Sequence, residues 1–200
     1  MKKLVLILSL AAIINNSGVC GKSILASETG SVNAEISAYV EEHTTSEISK
    51  KEITGVSIDF DYTWMAGKAS NQLALWIEDK NGVLVKTILV TDFVAGRRGY
   101  ENREDALKHW VDVSHPENMS GEEIDAVSSA TPQAGALHYT WDLTDEDGRR
   151  VPDGKYYIRL EGTLYWSSNV VYTGIVDLGN PTLGELEITE ERSEPDTTEN

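Results

Sequence analysis

The residues of this chain best suited to chemistry form one run, Asp125-Ala-Val-Ser-Ser-Ala-Thr131, followed by Pro132. It places a carboxylate, Asp125, upstream of the hydroxyls of Ser128 and Thr131, with small side chains such as Ala130 between them. Asp, Ser and Thr also favour turns and helix caps, because their side chains bond nearby backbone, so the same run reads equally as a surface turn. Asp145-Glu146-Asp147 lacks the rest of an EF-hand loop, including its bidentate glutamate, and reads as a hairpin tip. His43, His109, His115 and His138 form no close ligand pair, and the single cysteine, Cys20, lies outside the expected domain, so no metal site is read. No G-x-S-x-G elbow, phosphate-binding glycine loop or zinc-protease helix occurs. His109 and Asp112 have the spacing of a helix surface and nothing that marks a catalytic triad. Tyr165 and Trp166 read as core and turn anchors. The chain is therefore expected to be no enzyme.

The elements around these residues follow from period-two alternation. In Val56-Ser-Ile-Asp-Phe-Asp-Tyr-Thr-Trp64, Ile58, Phe60, Tyr62 and Trp64 share one face, opposite Asp59 and Asp61, which predicts a half-buried strand. Strands are likewise expected over 73–78, 83–90, 138–143, 156–165 and 170–176, with a short one near Leu186–Ile188. Trp64, Trp141, Tyr156 and Ile158 are expected to be buried. Asn81-Gly82, Asp147-Gly148 and Pro152-Asp153-Gly154 mark turns. This spacing predicts an all-β fold, an antiparallel immunoglobulin-like β-sandwich. Residues 97–135 break the pattern. Arg103 to Val113 reads as a short amphipathic helix using Leu107, Trp110 and Val111, and a polar loop follows. So long an excursion in a compact β domain points to a functional or accessory element.

The ends differ from the middle. Met1-Lys2-Lys3 and the apolar run Leu4 to Ile14 have the form of a signal peptide, and the run is too short to span a bilayer. Residues 1–21 are read as the leader, with cleavage after Gly21 or Ala26. Cys20 stands where a bacterial lipoprotein would carry its lipidated cysteine, which would anchor the exported chain. Residues 22–52 read as a polar linker in which Ala38-Tyr39-Val40 is a candidate short strand. The domain is expected over 53–190, and 191–200 as an acidic, dispensable tail. The net charge of −16 excludes a nucleic-acid partner, which needs clustered Lys and Arg, and disfavours an anionic membrane surface. The chain is expected to be periplasmic or extracellular.

Two resemblances add to this. Trp141-Asp142, Asp147-Gly148 and Val151-Pro-Asp-Gly-Lys-Tyr156-Tyr-Ile158 resemble the immunoglobulin-like repeat of flagellar hook-capping proteins. More widely, Trp76-Ile-Glu78-Asp79, Gly99-Tyr100, His109-Trp110, Asp125 to Gly135 and Glu161-Gly-Thr163-Leu-Tyr-Trp166 resemble a predicted periplasmic family, domain of unknown function 2271. That resemblance covers about Val56 to Val176. It implies export, an immunoglobulin-like sandwich, and the company of flavin mononucleotide transferases and membrane redox proteins. Asp125-Ala-Val-Ser-Ser-Ala-Thr131 in turn resembles the segment such transferases recognise, D-x-x-[S/T]-G-A-[T/S]. The resemblance implies Thr131 as the hydroxyl that takes FMN as a phosphoester, Asp125 as the recognition acid, and Ser128, Ser129 and Ala130 as small residues that let a transferase approach. Ser129 departs from the usual Gly, and Pro132 departs from the residue that usually follows. The attached flavin ring would need an apolar resting place, for which the helix residues Leu107 and Trp110, or alternatively Tyr100, are the candidates. The function expected is a non-enzymatic accessory module of extracytoplasmic electron transfer. The alternative is a structural or protein-interaction domain without cofactor.

Overall fold

The computed structural model describes residues 5–11, 54–64, 70–165, 168–180, 184–185 and 188–193. Its strands are β1 (Val5–Ala11), β2 (Gly55–Tyr62), β3 (Gln72–Asp79), β4 (Leu84–Thr91), β5 (Ser128–Ser129), β6 (Gly135–Trp141), β7 (Lys155–Tyr165), β8 (Ser168–Asp177), β9 (Gly184–Glu185) and β10 (Ile188–Ser193). A four-stranded sheet runs β6-β2-β1-β9 and a six-stranded sheet runs β10-β8-β7-β3-β4-β5. Alternation decides which side chains meet between them. Val56, Ile58, Phe60 and Tyr62 of β2 join Leu73, Leu75 and Ile77 of β3 and Tyr156, Ile158 and Leu160 of β7 in one core. Trp141 sits in this core with its ring edge-on to Tyr156, centroids 5.3 Å apart, and its indole N–H donates to the Thr144 carbonyl at 2.9 Å.

Turn chemistry closes the hairpins where the sequence predicts. Gly82 takes φ +78, and the Asp79 carboxylate accepts from the backbone N–H of Asn81 and Val83. Those bonds, the one from Val83 foremost, hold the Asp79 carboxyl below the usual carboxylate range. Gly148 takes φ +74 at the other tip, where Asp145 Oδ1 accepts from the N–H of Asp147 and Arg149.

Four expectations are corrected. Trp64 lies past the end of β2 and is 57% exposed, because the strand and its alternating environment stop at Tyr62. Trp64→Ser is accordingly expected to move stability by no more than about 0.5 kcal/mol in urea unfolding, as a surface change does. The sheets are not wholly antiparallel, since β5 runs parallel to β4, pairing Val90 with Ser128 and Thr91 with Ser129. Glu191 to Ser193, read as the start of the tail, are in β10, paired with Val171, Val170 and Asn169 of β8. Finally, the excursion carries two helices, α1 (Lys108–Ser114) and α2 (Gly121–Val127), in place of one over Arg103 to Val113. The linker reading of 22–52, the lipidation reading of Cys20 and the strand suggested at Ala38-Tyr39-Val40 lie outside the described residues.

Candidate functional site

The excursion between β4 and β6 covers the outer face of the six-stranded sheet. Strand β3 is buried on both faces because its odd residues fill the main core while Ala74 and Trp76 face outward under the excursion. There they join Val90, Val94, Ala95, Ala106, Leu107 and Trp110 in a second apolar core. Gly99 is required by close approach: its N–H donates to the Phe93 carbonyl at 2.7 Å, and a Cβ there would collide with that carbonyl and the Phe93 ring.

Helix α1 cannot start itself. Leu107 precedes it with φ +53, a conformation strained for a bulky residue, and supplies no side-chain cap. The cap comes from the sheet. Glu161, on β7 and 0% exposed, accepts from the Trp110 N–H at 3.0 Å with one oxygen and from the His109 N–H at 3.2 Å with the other. That second oxygen also meets His109 Nδ1 at 3.1 Å and accepts from Asn169 Nδ2 at 2.6 Å. Thr163, two residues on, accepts the Leu107 N–H at 3.0 Å. A buried carboxylate is tolerable here because the donors surround it and the helix amides present partial positive charge. Glu78, 4% exposed, completes a parallel network: it accepts from the Trp76 indole at 2.7 Å and from Arg159 Nε at 3.1 Å. Arg159 also donates to Thr173 at 2.6 Å and stacks over Tyr157 at 5.3 Å.

His109 is the titrating member of this network. Its hydrogen bond to Glu161 raises its pKa above the ordinary imidazole value, with burial opposing and Glu161, Asp112 and Glu191 adding charge attraction. A folded-state pKa above the unfolded one stabilises the fold fully below the unfolded value, about 6.5, and the gain disappears as pH rises through the raised value. Melting temperature should therefore fall with rising pH above about 6.5, and the His109→Gln protein should lack that part of the slope. An identical slope in both proteins would contradict this.

Helix α2 carries the run singled out in the sequence. Ser120 Oγ accepts the Glu123 N–H at 3.2 Å and Glu123 Oε2 accepts the Ser120 N–H at 2.7 Å, a reciprocal capping box. Ile124 and Val127 pack on the second core, which turns Asp125, on the last turn, to solvent. The chain then extends through β5, where the Ser129 carbonyl accepts the Asp92 N–H at 2.7 Å. Ser128 is half-buried, while Ser129 and Ala130 are exposed. Thr131 is half-buried, and its hydroxyl donates to the Asn71 carbonyl at 3.4 Å, longer than a strong O–H···O bond. The run is thus a stitched strip along the sheet edge and no free loop. Of the two candidates for the ring's resting place, Leu107 and Trp110 are fully buried and can offer a ligand no face without the excursion opening, while Tyr100 is partly accessible.

The two buried glutamates and Asn169 were not singled out as site residues in the sequence. The available signal was a carboxylate at an outward position of a long strand, Glu78 on β3 and Glu161 on β7. The Ser120-x-x-Glu123 box likewise marks α2. Notably, the fragments Trp76-x-Glu78, Gly99-Tyr100, His109-Trp110 and Glu161-x-Thr163, scattered in sequence, all meet in the seam between excursion and sheet.

The structure defines a two-sheet, mostly β protein with a helical excursion locked onto one outer face. The family model described as "Predicted periplasmic protein (DUF2271)" matches residues 54–189, more than half of the chain, and the protein belongs to that family. That description places it in the periplasm. No curated protein and no solved structure matches the chain. No helix among the described residues is long and apolar enough to cross a membrane.

Proposed function

We propose that this protein is an exported, non-enzymatic accessory module of extracytoplasmic electron transfer, with Thr131 as the attachment point for covalent flavin mononucleotide. The observation that carries the reading is the placement of Asp125-x-x-Ser128-x-Ala130-Thr131. The acid and the small residues 129 and 130 face solvent, and the acceptor hydroxyl makes a long bond to the Asn71 carbonyl. A flavin transferase is the partner that would act on this strip, and a membrane redox protein the partner it would serve. In the transfer, Thr131 Oγ attacks the flavin-side phosphorus of a flavin dinucleotide held by the transferase, the bond from that phosphorus to the bridging oxygen breaks, and the nucleoside monophosphate leaves while the hydroxyl's proton passes to it or to solvent. Bound flavin would supply the redox chemistry. The chain's own residues supply position: β5 pins Ser128 and Ser129 to β4, and α2 presents Asp125. We read the two sheets as an immunoglobulin-like sandwich, to whose core Trp141, Leu143, Val151, Tyr156 and Ile158 contribute.

The test is coexpression with a flavin transferase followed by denaturing electrophoresis. Flavin fluorescence should stay with the wild-type chain and be absent from Thr131→Ala. A wild-type chain that stays dark would leave an interaction domain without cofactor as the better account.

A further inference from the structure

A sheet edge offers unpaired backbone N–H and C=O groups to any strand that can reach it, and folds blunt their edges with charge, shortness or cover. Three of the four sheet edges formed by the described residues are blunted in these ways. β10 carries Glu190, Glu191 and Arg192. β9 and β5 are two residues long. Beyond β5, the side of β4 is covered by Glu146, whose N–H donates to the Val85 carbonyl at 3.1 Å and whose carboxylate accepts the Thr87 N–H at 2.6 Å.

The fourth edge, β6, has none of these devices. It runs seven residues, Gly-Ala-Leu-His-Tyr-Thr-Trp, without Asp, Glu, Lys, Arg or Pro. Its register with β2 is unbroken from Gly135 to Trp141, so no bulge turns it away. Among the described residues no strand pairs with its other side, and Gly135, Ala136, His138 and Thr140 are exposed. β1 lies on the far side of β2, so this edge does not depend on it.

The side chains beside the edge decide what fits it. Leu137 and Tyr139 are half-buried against the main core, with Tyr139 stacked on Phe60 at 5.9 Å. The inward row of an added strand meets these two and must be apolar. The outward row meets Ala136, His138 and Thr140, behind which stand Asp61, Asp59 and Ser57 of β2. Asp59 meets the His138 ring at 2.6 Å, whereas Asp61 is exposed and has no basic partner among the described residues. A lysine or arginine stem can lie over the Ala136 methyl and bring its charge to Asp61, two strands and roughly 10 Å away. The net charge of −16 opposes a second copy at the same edge and favours a basic segment.

We propose that the β6 edge is a docking site for an extended segment of a partner protein in which apolar and basic residues alternate, added to the four-stranded sheet as a further strand. This is independent of the flavin reading.

The experiment takes the full protein purified from the periplasm and a labelled synthetic peptide of β6's length that alternates valine with lysine. Fluorescence anisotropy reads binding, and hydrogen exchange with mass spectrometry reads its place. The peptide should bind, and at saturation exchange over 135–141 should slow at least about tenfold while exchange over 168–177 stays the same. Ala136→Lys, a surface change that the fold tolerates, should weaken binding at least about tenfold, and Asp61→Asn should weaken it less. A peptide alternating valine with glutamate should not bind, nor should the lysine peptide once its backbone is N-methylated. Unchanged exchange over 135–141 overturns the proposal. Equal binding of the N-methylated peptide also overturns it, by showing attraction to the acidic surface without strand pairing. Protection of 135–141 that grows with protein concentration in the absence of peptide would assign the edge to a second copy and overturn the partner reading.

Discussion

Replacing Glu161 by leucine is expected to cost about 3–5 kcal/mol of unfolding free energy, although the two side chains are similar in size. The reason is the number of donors that converge on one buried carboxylate: two α1 amides, the His109 ring and the Asn169 amide. Leucine would leave the α1 amides without acceptors at the start of a helix that has no cap of its own. Leu107 would then keep its strained backbone with less around it to impose that conformation. Glu161→Gln, which retains one acceptor oxygen, should cost less, about 1–2 kcal/mol. The loss should also be local. Hydrogen exchange should rise over 99–134 before it rises over 55–62, because β2 draws on the other core. A Glu161→Leu protein within about 1 kcal/mol of wild type would show that the seam is not what holds the excursion.

Much of the sheet structure was legible in the sequence because alternation is a local signal. The β2 strand, the hairpin at Asn81-Gly82, the turn at Gly148 and the burial of Trp141, Tyr156 and Ile158 all follow from neighbours within a few residues. Trp64 shows the limit: it continues the parity of β2, but the partner β6 begins at Gly135, opposite Tyr62, and the residue beyond the paired stretch is left largely exposed. The excursion was read correctly as an excursion and incorrectly in detail. Trp110 and Leu107 look like the apolar stripe of a surface helix, yet they fill a core whose other half is Ala74 and Trp76, about thirty residues earlier in the chain. Glu161 is harder still. Charged residues on strands are usually solvated, and only the fold reveals that a helix start lies over this one. The strip at 125–131 was legible as a motif, while its parallel pairing to β4 depends on long-range closure that no local pattern specifies.

Under the attachment proposed at Thr131, loss of covalent flavin in Thr131→Ala is expected to be complete, since no other group would replace the bond that its hydroxyl would form. Ser128 and Ser129 also carry hydroxyls, but both lie in β5, where Ser128 pairs with Val90 and Ser129 with Thr91. Thr131 follows the paired residues and is held through its hydroxyl by one long bond, so a transferase can draw it away at small cost. The fold should survive the change, because a half-buried Thr that loses one weak hydrogen bond costs on the order of 1 kcal/mol or less. Asp125→Asn should lower the extent of transfer without abolishing it, as expected of an exposed recognition acid. The most direct measurement is the intact mass of the exported protein coexpressed with a flavin transferase. The wild type is expected to gain the mass of one esterified flavin mononucleotide, traced by peptide mapping to Thr131, and Thr131→Ala to gain nothing. A wild-type chain of unmodified mass, or a flavin that persists in Thr131→Ala, would contradict the assignment.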